Sequence, residues 1–286
     1  MRIVSRWADL PGLDLSLPEA ITGVLPDDSS IYPITRTLGS LLARLVMAGG
    51  VQNVLELGAG ASSVVLAQAL RVSGGGKLTS IEQDPSWCRD QWAAVTDTPG
   101  VDAHLEVAQP IFRFTGPFPC HVYATAQQTV AERGPYDLIF ADAPQRYYGR
   151  DGTLPLVAGS LRPGALIVLD DAGRREEGSA IGRWLLTYVG LELVVYDPTF
   201  GRRGVAILRA KRPLTQRYSV RSWVGGAAHA GAAWLRRTAQ GRGSVPPAHD
   251  PAICMTALVS TSAPDYNRRR AGRPDTLLDG TWHRCF

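Results

Sequence analysis

Residues 54–63 read VLELGAGASS, and this stretch decides the fold. Val54, Leu55 and Leu57 form a short apolar run, the mark of a parallel strand buried on both faces, and Gly58 and Gly60 follow it directly. Glycines in that place let the backbone turn tightly and let a ligand approach where a Cβ would clash. The helix that begins near Ser62 aims its free amides at the same point. Strand, glycine turn and helix in this order open a βαβ unit.

Two acidic residues narrow the ligand. Proteins that bind NAD through such a turn usually carry a third glycine where this chain has Ser63. Glu56 precedes the turn by two residues, where a carboxylate suits a cationic amino acid group and repels a pyrophosphate. Glu82 ends the next apolar run, and an acid there can accept both hydroxyls of a ribose. The plainer alternative makes Glu56 a salt-bridged edge residue and Glu82 a charge flanking a helix.

Working outward, the sequence upstream of the turn, TRTLGSLLARLVMAGG (35–50), places Leu38, Leu41, Leu42, Leu45 and Val46 at three- and four-residue steps, so a helix is expected there. Residues 1–36 show no sustained period and read as a lead-in or cap. Downstream, strands are expected at 77–82, 103–107, 136–143 and 165–172, with helices at 62–72, 85–95, 154–161 and 176–189 between and after them. Segment 111–128 reads as irregular. A final pair, 191–198 and 204–210, joined by a short link, predicts an antiparallel hairpin at the sheet edge. The expected fold is α/β, a Rossmann-like sheet of seven strands over residues 37–212. Beyond Pro213 the rhythm stops. Residues 213–286 are rich in Ala, Gly and Arg and read as a partly disordered extension, with one short helix at 227–239.

The chain has 286 residues, 45% hydrophobic and 20% charged, ordinary for a globular protein. No apolar run reaches the length of a membrane span, and Asp9, Asp14 and Glu19 interrupt any secretory leader, so a cytoplasmic protein is expected. Four widely spaced cysteines fit neither a disulfide scaffold nor a paired zinc site. The net charge of +4 comes from the extension: residues 1–212 hold 20 basic and 22 acidic side chains, and 213–286 hold 10 and 4. A nucleic-acid partner is therefore not inferred.

A second constellation lies at strand ends. Asp142 closes the fourth strand, and Asp170 with Asp171 the fifth; strand C-termini of an open sheet share one rim, so the three carboxylates can converge. Such oxygen clusters suit Mg²⁺, which orients a hydroxyl and lowers its pKa. The other reading has Asp142 facing an acceptor or solvent while Asp171 caps the next helix and pairs with Arg174 or Arg175. His104 reads as structural. His121 is a weak candidate base, and the aromatic pair Tyr147 and Tyr148 can line an acceptor pocket or pack a helix.

LELGAGASS, followed by SIEQDPSW, YDLIFADAP and LRPGALIVLDDAGR, resembles the class I methyltransferases over about residues 37–210, and IEQDPSW with VLDDAGR is similar to the small-molecule branch called methyltransferase family 24. The resemblance implies S-adenosylmethionine as cofactor, with Glu56, Gly58, Gly60 and Ser62 on its methionine portion and Glu82 on its ribose. It implies that Asp142 lies beside the sulfonium and a small-molecule acceptor, whose hydroxyl is methylated in line. The acidic rim resembles the metal site of catechol-type O-methyltransferases. It departs from it in having Asp171 where Asn is usual and no lysine soon after Asp142, which leaves Arg146 as the nearest cation; the reading without metal is preferred. The rival readings are another enzyme on this fold, an aminopropyltransferase or an NAD-dependent oxidoreductase, and a non-catalytic cofactor-binding scaffold.

Overall fold

The computed structural model describes residues 2–28, 34–114, 116–146 and 148–239. The chain opens with β1 (Val4–Ser5), a short α1 (Glu19–Thr22) and α2 (Arg36–Ala48), then β2 (Asn53–Leu57), α3 (Ala61–Val72), β3 (Gly76–Glu82), α4 (Arg89–Thr96) and β4 (Val101–Val107). A small hairpin follows, β5 (Ile111–Arg113) and β6 (Cys120–Val122), and then α5 (Gln127–Arg133), β7 (Tyr136–Ala141), α6 (Thr153–Val157) and β8 (Leu161–Asp170). The described chain ends with α7 (Arg175–Thr187), β9 (Tyr188–Asp197), β10 (Val205–Gln216) and α8 (Val220–Ala239).

The central sheet runs β1-β9-β10-β8-β7-β2-β3-β4. Strands β4, β3, β2, β7 and β8 are mutually parallel, and β10 lies antiparallel between β8 and β9. The expected seven-stranded sheet with its reversed hairpin is present, and β1 adds a short antiparallel strand on the outer edge of β9. After β2 the chain moves outward through β3 and β4, then returns to the other side of β2 with β7. Beside β2 and β7 the strand order reverses, which is where open α/β sheets leave a crevice at their carboxyl ends. Register brings the ends together: Leu57 lies opposite both Ile81 and Ala141, and Ala141 opposite Leu169.

Each face of the sheet is covered. On one, Leu42, Val46, Val65 and Leu66 of α2 and α3 pack on Val54, Leu138, Val168 and Ile207; on the other, Trp184, Tyr123 and Leu154 pack on Leu55, Leu57, Ile139 and Ile167. Alternation along β2 puts Glu56 on the α3 side with Val54, so its carboxylate is carried into the core beneath the glycine turn. Helix α2 starts where expected because Thr35 Oγ1 accepts from the Leu38 amide at 3.2 Å, and Gly49 follows its last turn.

Three expectations need correction. Segment 111–128 is not irregular: it forms the β5–β6 hairpin and leads into α5, elements too short to show a period. The lead-in 1–36 contributes β1 to the sheet, and Trp7 stacks near Phe200 with ring centroids 5.2 Å apart. The boundary at 212 falls inside β10, and α8 extends well beyond the expected 227–239, within a compact unit that reaches Gly243. Ser222 Oγ lies 3.1 Å from Thr187 Oγ1, His229 Nε2 3.4 Å from Asp151, and Arg236 3.3 Å from Glu176, so α8 is tied to α7 and to the loop after β7. Its Ala- and Gly-rich composition reflects close packing: Ala230 and Ala233 are buried, and a Cβ on Gly226 would lie 2.6 Å from the Pro119 carbonyl. The rest of the expected extension, 240–286, lies outside the described residues.

Candidate functional site

The glycine turn joins β2 to α3, and its two glycines serve different ends. Gly58 has φ +98°, which side-chain-bearing residues rarely adopt, and a Cβ there would meet Ala143 Cβ at 2.9 Å. It is needed for the backbone and for its contact with the loop after β7. Gly60 has ordinary extended φ, and nothing of the protein lies within 4 Å of where its Cβ would stand. That open space is room for a ligand.

Glu56 is fully buried under this turn. Its Oε2 accepts from Ser63 Oγ at 2.5 Å and from Ser80 Oγ at 2.6 Å, and Ser63 Oγ in turn accepts from the Gly60 amide at 2.9 Å. Ser63, standing where a third glycine would in an NAD-type turn, thus ties the acid to the turn's backbone. Burial pushes the Glu56 carboxyl up to about 7, opposed by the hydroxyls of Ser62, Ser63 and Ser80. Glu56 Oε1 is buried with no hydrogen-bond partner, so the reading of Glu56 as a salt-bridged edge residue does not hold. Ser62 is buried beside it.

Glu82, at the end of β3, reaches across to the same turn. Its Oε2 accepts from the Ala59 amide at 3.1 Å, and Oε1 accepts from the amides of Gln83 and Asp84 at 2.7 and 2.9 Å. Burial raises its pKa while these three amides lower it. The five residues expected to hold a cofactor therefore come together. Glu82 also braces the loop, and what lone-pair capacity remains lies mainly on Oε2.

The acidic rim is the neighbour of this turn. The amides of Asp142 and Ala143 both donate to the Leu57 carbonyl at 2.9 Å, which fixes Asp142 against the end of β2. Carboxylate oxygens of Asp142, Asp170 and Asp171 lie within 4.8 Å of one another, as their strand-end positions implied. The sequence reading missed what sits among them. Arg150, whose side chain is 3% exposed, donates from Nη2 to Asp142 Oδ1 at 2.7 Å, to the Asp142 carbonyl at 2.6 Å and to Asp171 Oδ2 at 2.8 Å, and from Nη1 to the Asp170 carbonyl. A guanidinium thus occupies the place where a cation would be drawn, while Arg146, expected as the nearest cation, pairs with Glu176 at 3.5 Å. Asp171, at φ +57°, pairs with Arg174 at 2.8 Å as expected but does not cap α7, whose first turn has no side-chain cap. Burial raises the Asp142 carboxyl, Arg150 pulls it down, and Asp170 and Asp171 raise it again.

A cleft of about 520 Å³ opens over this rim, lined by Ile34, Thr35 and Leu38 at the start of α2, by the three aspartates, and by Phe200 to Arg203 from the link between β9 and β10. Of the remaining candidates, His104 is half exposed on β4 beside Glu106, away from the rim. His121 is buried with its ring centroid 5.1 Å from that of Tyr148, itself largely buried; Tyr147 lies outside the described residues. Among the described residues no helix is long and apolar enough to cross a membrane.

Residues 55–172 match the family 24 model described as a methyltransferase domain, a stretch that holds the glycine turn, Glu82 and all three rim aspartates. Two solved structures are similar to the chain. One is the O-methyltransferase TomG from Streptomyces achromogenes, involved in tomaymycin synthesis and in complex with SAM, at 20% identity over 69% of this chain and 92% of that one, TM-score 0.47. The other is an O-methyltransferase from Bacillus cereus in complex with SAH, at 18% identity over 69% and 93%, TM-score 0.48. No curated protein sequence matches the chain.

Proposed function

We infer that this chain, whose residues 55–172 are a family 24 methyltransferase domain, is an S-adenosylmethionine-dependent methyltransferase acting on a hydroxyl of a small molecule. The observation that carries the reading is the attachment of Asp142 to the end of β2: the glycine turn and the acidic rim are held together by two backbone hydrogen bonds and the Gly58–Ala143 contact. A donor in the turn and an acceptor over the rim would then be neighbours, which is most of what a displacement at a methyl carbon requires.

The residues present fit the donor. The space at Gly60 admits it, the unpartnered Oε1 of Glu56 suits an ammonium group, and Glu82 Oε2 suits a ribose hydroxyl. When bound, S-adenosylmethionine supplies a methyl carbon made electrophilic by its sulfonium. Asp142 Oδ1 is held by Arg150, and Oδ2 is left to accept the proton of the acceptor hydroxyl as the new bond to carbon forms. Burial raises that carboxyl's proton affinity, which suits a base. Arg150 keeps the carboxylate aimed and offsets the charge of its neighbours, so no divalent ion is needed to balance the rim. An NAD-dependent oxidoreductase is disfavoured because a pyrophosphate at this turn would face buried Glu56. Buried, unpaired Cys88 and Cys120 fit a reducing, cytoplasmic setting.

The test is transfer of label from methyl-labelled donor to a panel of hydroxylated small molecules, with the wild-type chain and Asp142→Asn. Labelled ether product formed by the wild type and lost in the variant is expected; transfer that survives in Asp142→Asn would remove Asp142 from the chemistry.

A further inference from the structure

The acceptor cleft continues into a second, basic one. Arg203 lines both, and around the second, an open cleft of about 930 Å³, it is joined by Arg146, Arg174 and Arg175, with Glu176 as the one acid in the lining. Glu176 is already shared between Arg146 at 3.5 Å and Arg236 at 3.3 Å. Arg174 is fixed on Asp171 at 2.8 Å and Arg203 lies 3.7 Å from the same carboxylate, whereas Arg175 has no ion-pair partner among the described residues. Each guanidinium has five N–H donors and these contacts use few of them, so donors remain for an oxyanion. Gathering four cations around one cleft is unfavourable unless an anion completes it, and the crowding registers at Arg174, whose pKa is lowered by burial and by the charges of Arg150 and Arg203.

We propose that the methyl acceptor carries an anionic oxygen group, a carboxylate or a phosphate, that docks among Arg146, Arg174, Arg175 and Arg203 while its hydroxyl reaches Asp142. This rests on the reading of the rim as the acceptor site. Arginine forks match both oxyanions, and an anion anchored in the basic cleft would hold the hydroxyl over the aspartates without adding negative charge beside them.

Binding of three probes to the full chain tests it: 4-hydroxybenzoate, 4-hydroxyphenyl phosphate and the neutral 4-hydroxybenzyl alcohol, titrated calorimetrically at one ionic strength set with chloride. At least one anionic probe should bind about tenfold more tightly than the alcohol, and the double variant Arg175→Ala/Arg203→Ala should lose that advantage, as expected on removing charge-assisted hydrogen bonds. Whichever of the two anions binds better identifies the oxyanion. The matching double lysine variant, which keeps charge without the fork, should recover part of the affinity. Equal binding of anionic and neutral probes, no binding of either anion up to about 50 mM, or full anion affinity in the alanine variant would overturn the proposal. S-adenosylmethionine titrated into the same samples separates the two claims. It should bind wild type and alanine variant alike, and its failure to bind wild type would sink the methyltransferase reading while leaving the anion result to stand.

Discussion

Replacing Arg150 by Met removes the charge at the centre of the rim and keeps most of the aliphatic volume. In the wild type this guanidinium bonds Asp142 Oδ1 at 2.7 Å and Asp171 Oδ2 at 2.8 Å and is nearly inaccessible to solvent. Without it, three carboxylates within 4.8 Å of one another retain only Arg174 at 2.8 Å and the more exposed Arg203 at 3.7 Å as counter-charges. Removing one partner of a buried ionic network costs about 3–5 kcal/mol. For a domain of this size each kcal/mol lowers the midpoint by about 2–4 °C, so a fall on the order of 10 °C is expected in a thermal melt. The vacated centre then becomes a set of oxygen ligands, and added Ca²⁺ or Mg²⁺ should restore part of the loss in Arg150→Met. The same ions, or EDTA, should leave the wild-type melt and wild-type activity unchanged. A midpoint within about 2 °C of wild type would refute the electrostatic role given to Arg150. Wild-type stabilisation by Mg²⁺ as large as that of the variant would refute the reading in which the guanidinium stands in for a metal.

The two glycines of the turn should part company: Gly60→Val should fold normally and lose donor binding, while Gly58→Ala should lower the melting midpoint because it combines φ +98° with a 2.9 Å collision, and equal melts for the two would contradict the assignment. Glu56 carries a pH signature. Its carboxyl, raised from 4.5 to about 7, favours the folded state at pH below 4.5, and that contribution is lost as pH rises through about 7. A donor whose ammonium faces Glu56 binds the ionised form, so protons should be released on binding at about pH 6–7. Calorimetry in two buffers of unequal ionisation heat reads the release, and Glu56→Gln should abolish it. A chain cut at residue 212 should melt far lower than one cut at 243, since it loses the end of β10 and all of α8; matching melts would show that α8 contributes nothing to the fold.

What the sequence made legible is local in the chain. The β2 turn, α3 and Glu82 lie within one βαβ unit, where apolar runs, glycines and an acid at a strand end report directly on geometry. Asp142, Asp170 and Asp171 were placed together by topology alone, because parallel strands end on one rim. Arg150 escaped notice because it lies in a loop between α6 and β7, eight residues from Asp142 and about twenty from the other two aspartates, and no periodicity links such positions. Arg146, nearer in sequence, turns instead to Glu176. Helix α8 was cut short for a different reason: small residues chosen for close approach look like low complexity until the surface they approach is known. The cap expected of Asp171 failed because its backbone enters the left-handed region, which turns its carboxylate toward Arg150 and Arg174 rather than toward the first amides of α7.

The central claim is that the turn at Gly58–Gly60, with Glu56 and Glu82, holds S-adenosylmethionine. Its most direct test is a calorimetric titration of that donor, and of NAD in parallel, into the wild-type chain and Gly60→Val. The account predicts saturable one-site binding of S-adenosylmethionine by the wild type, none by the variant despite an unchanged melt, and no binding of NAD. Binding of NAD without S-adenosylmethionine, or undiminished donor affinity in Gly60→Val, would contradict it.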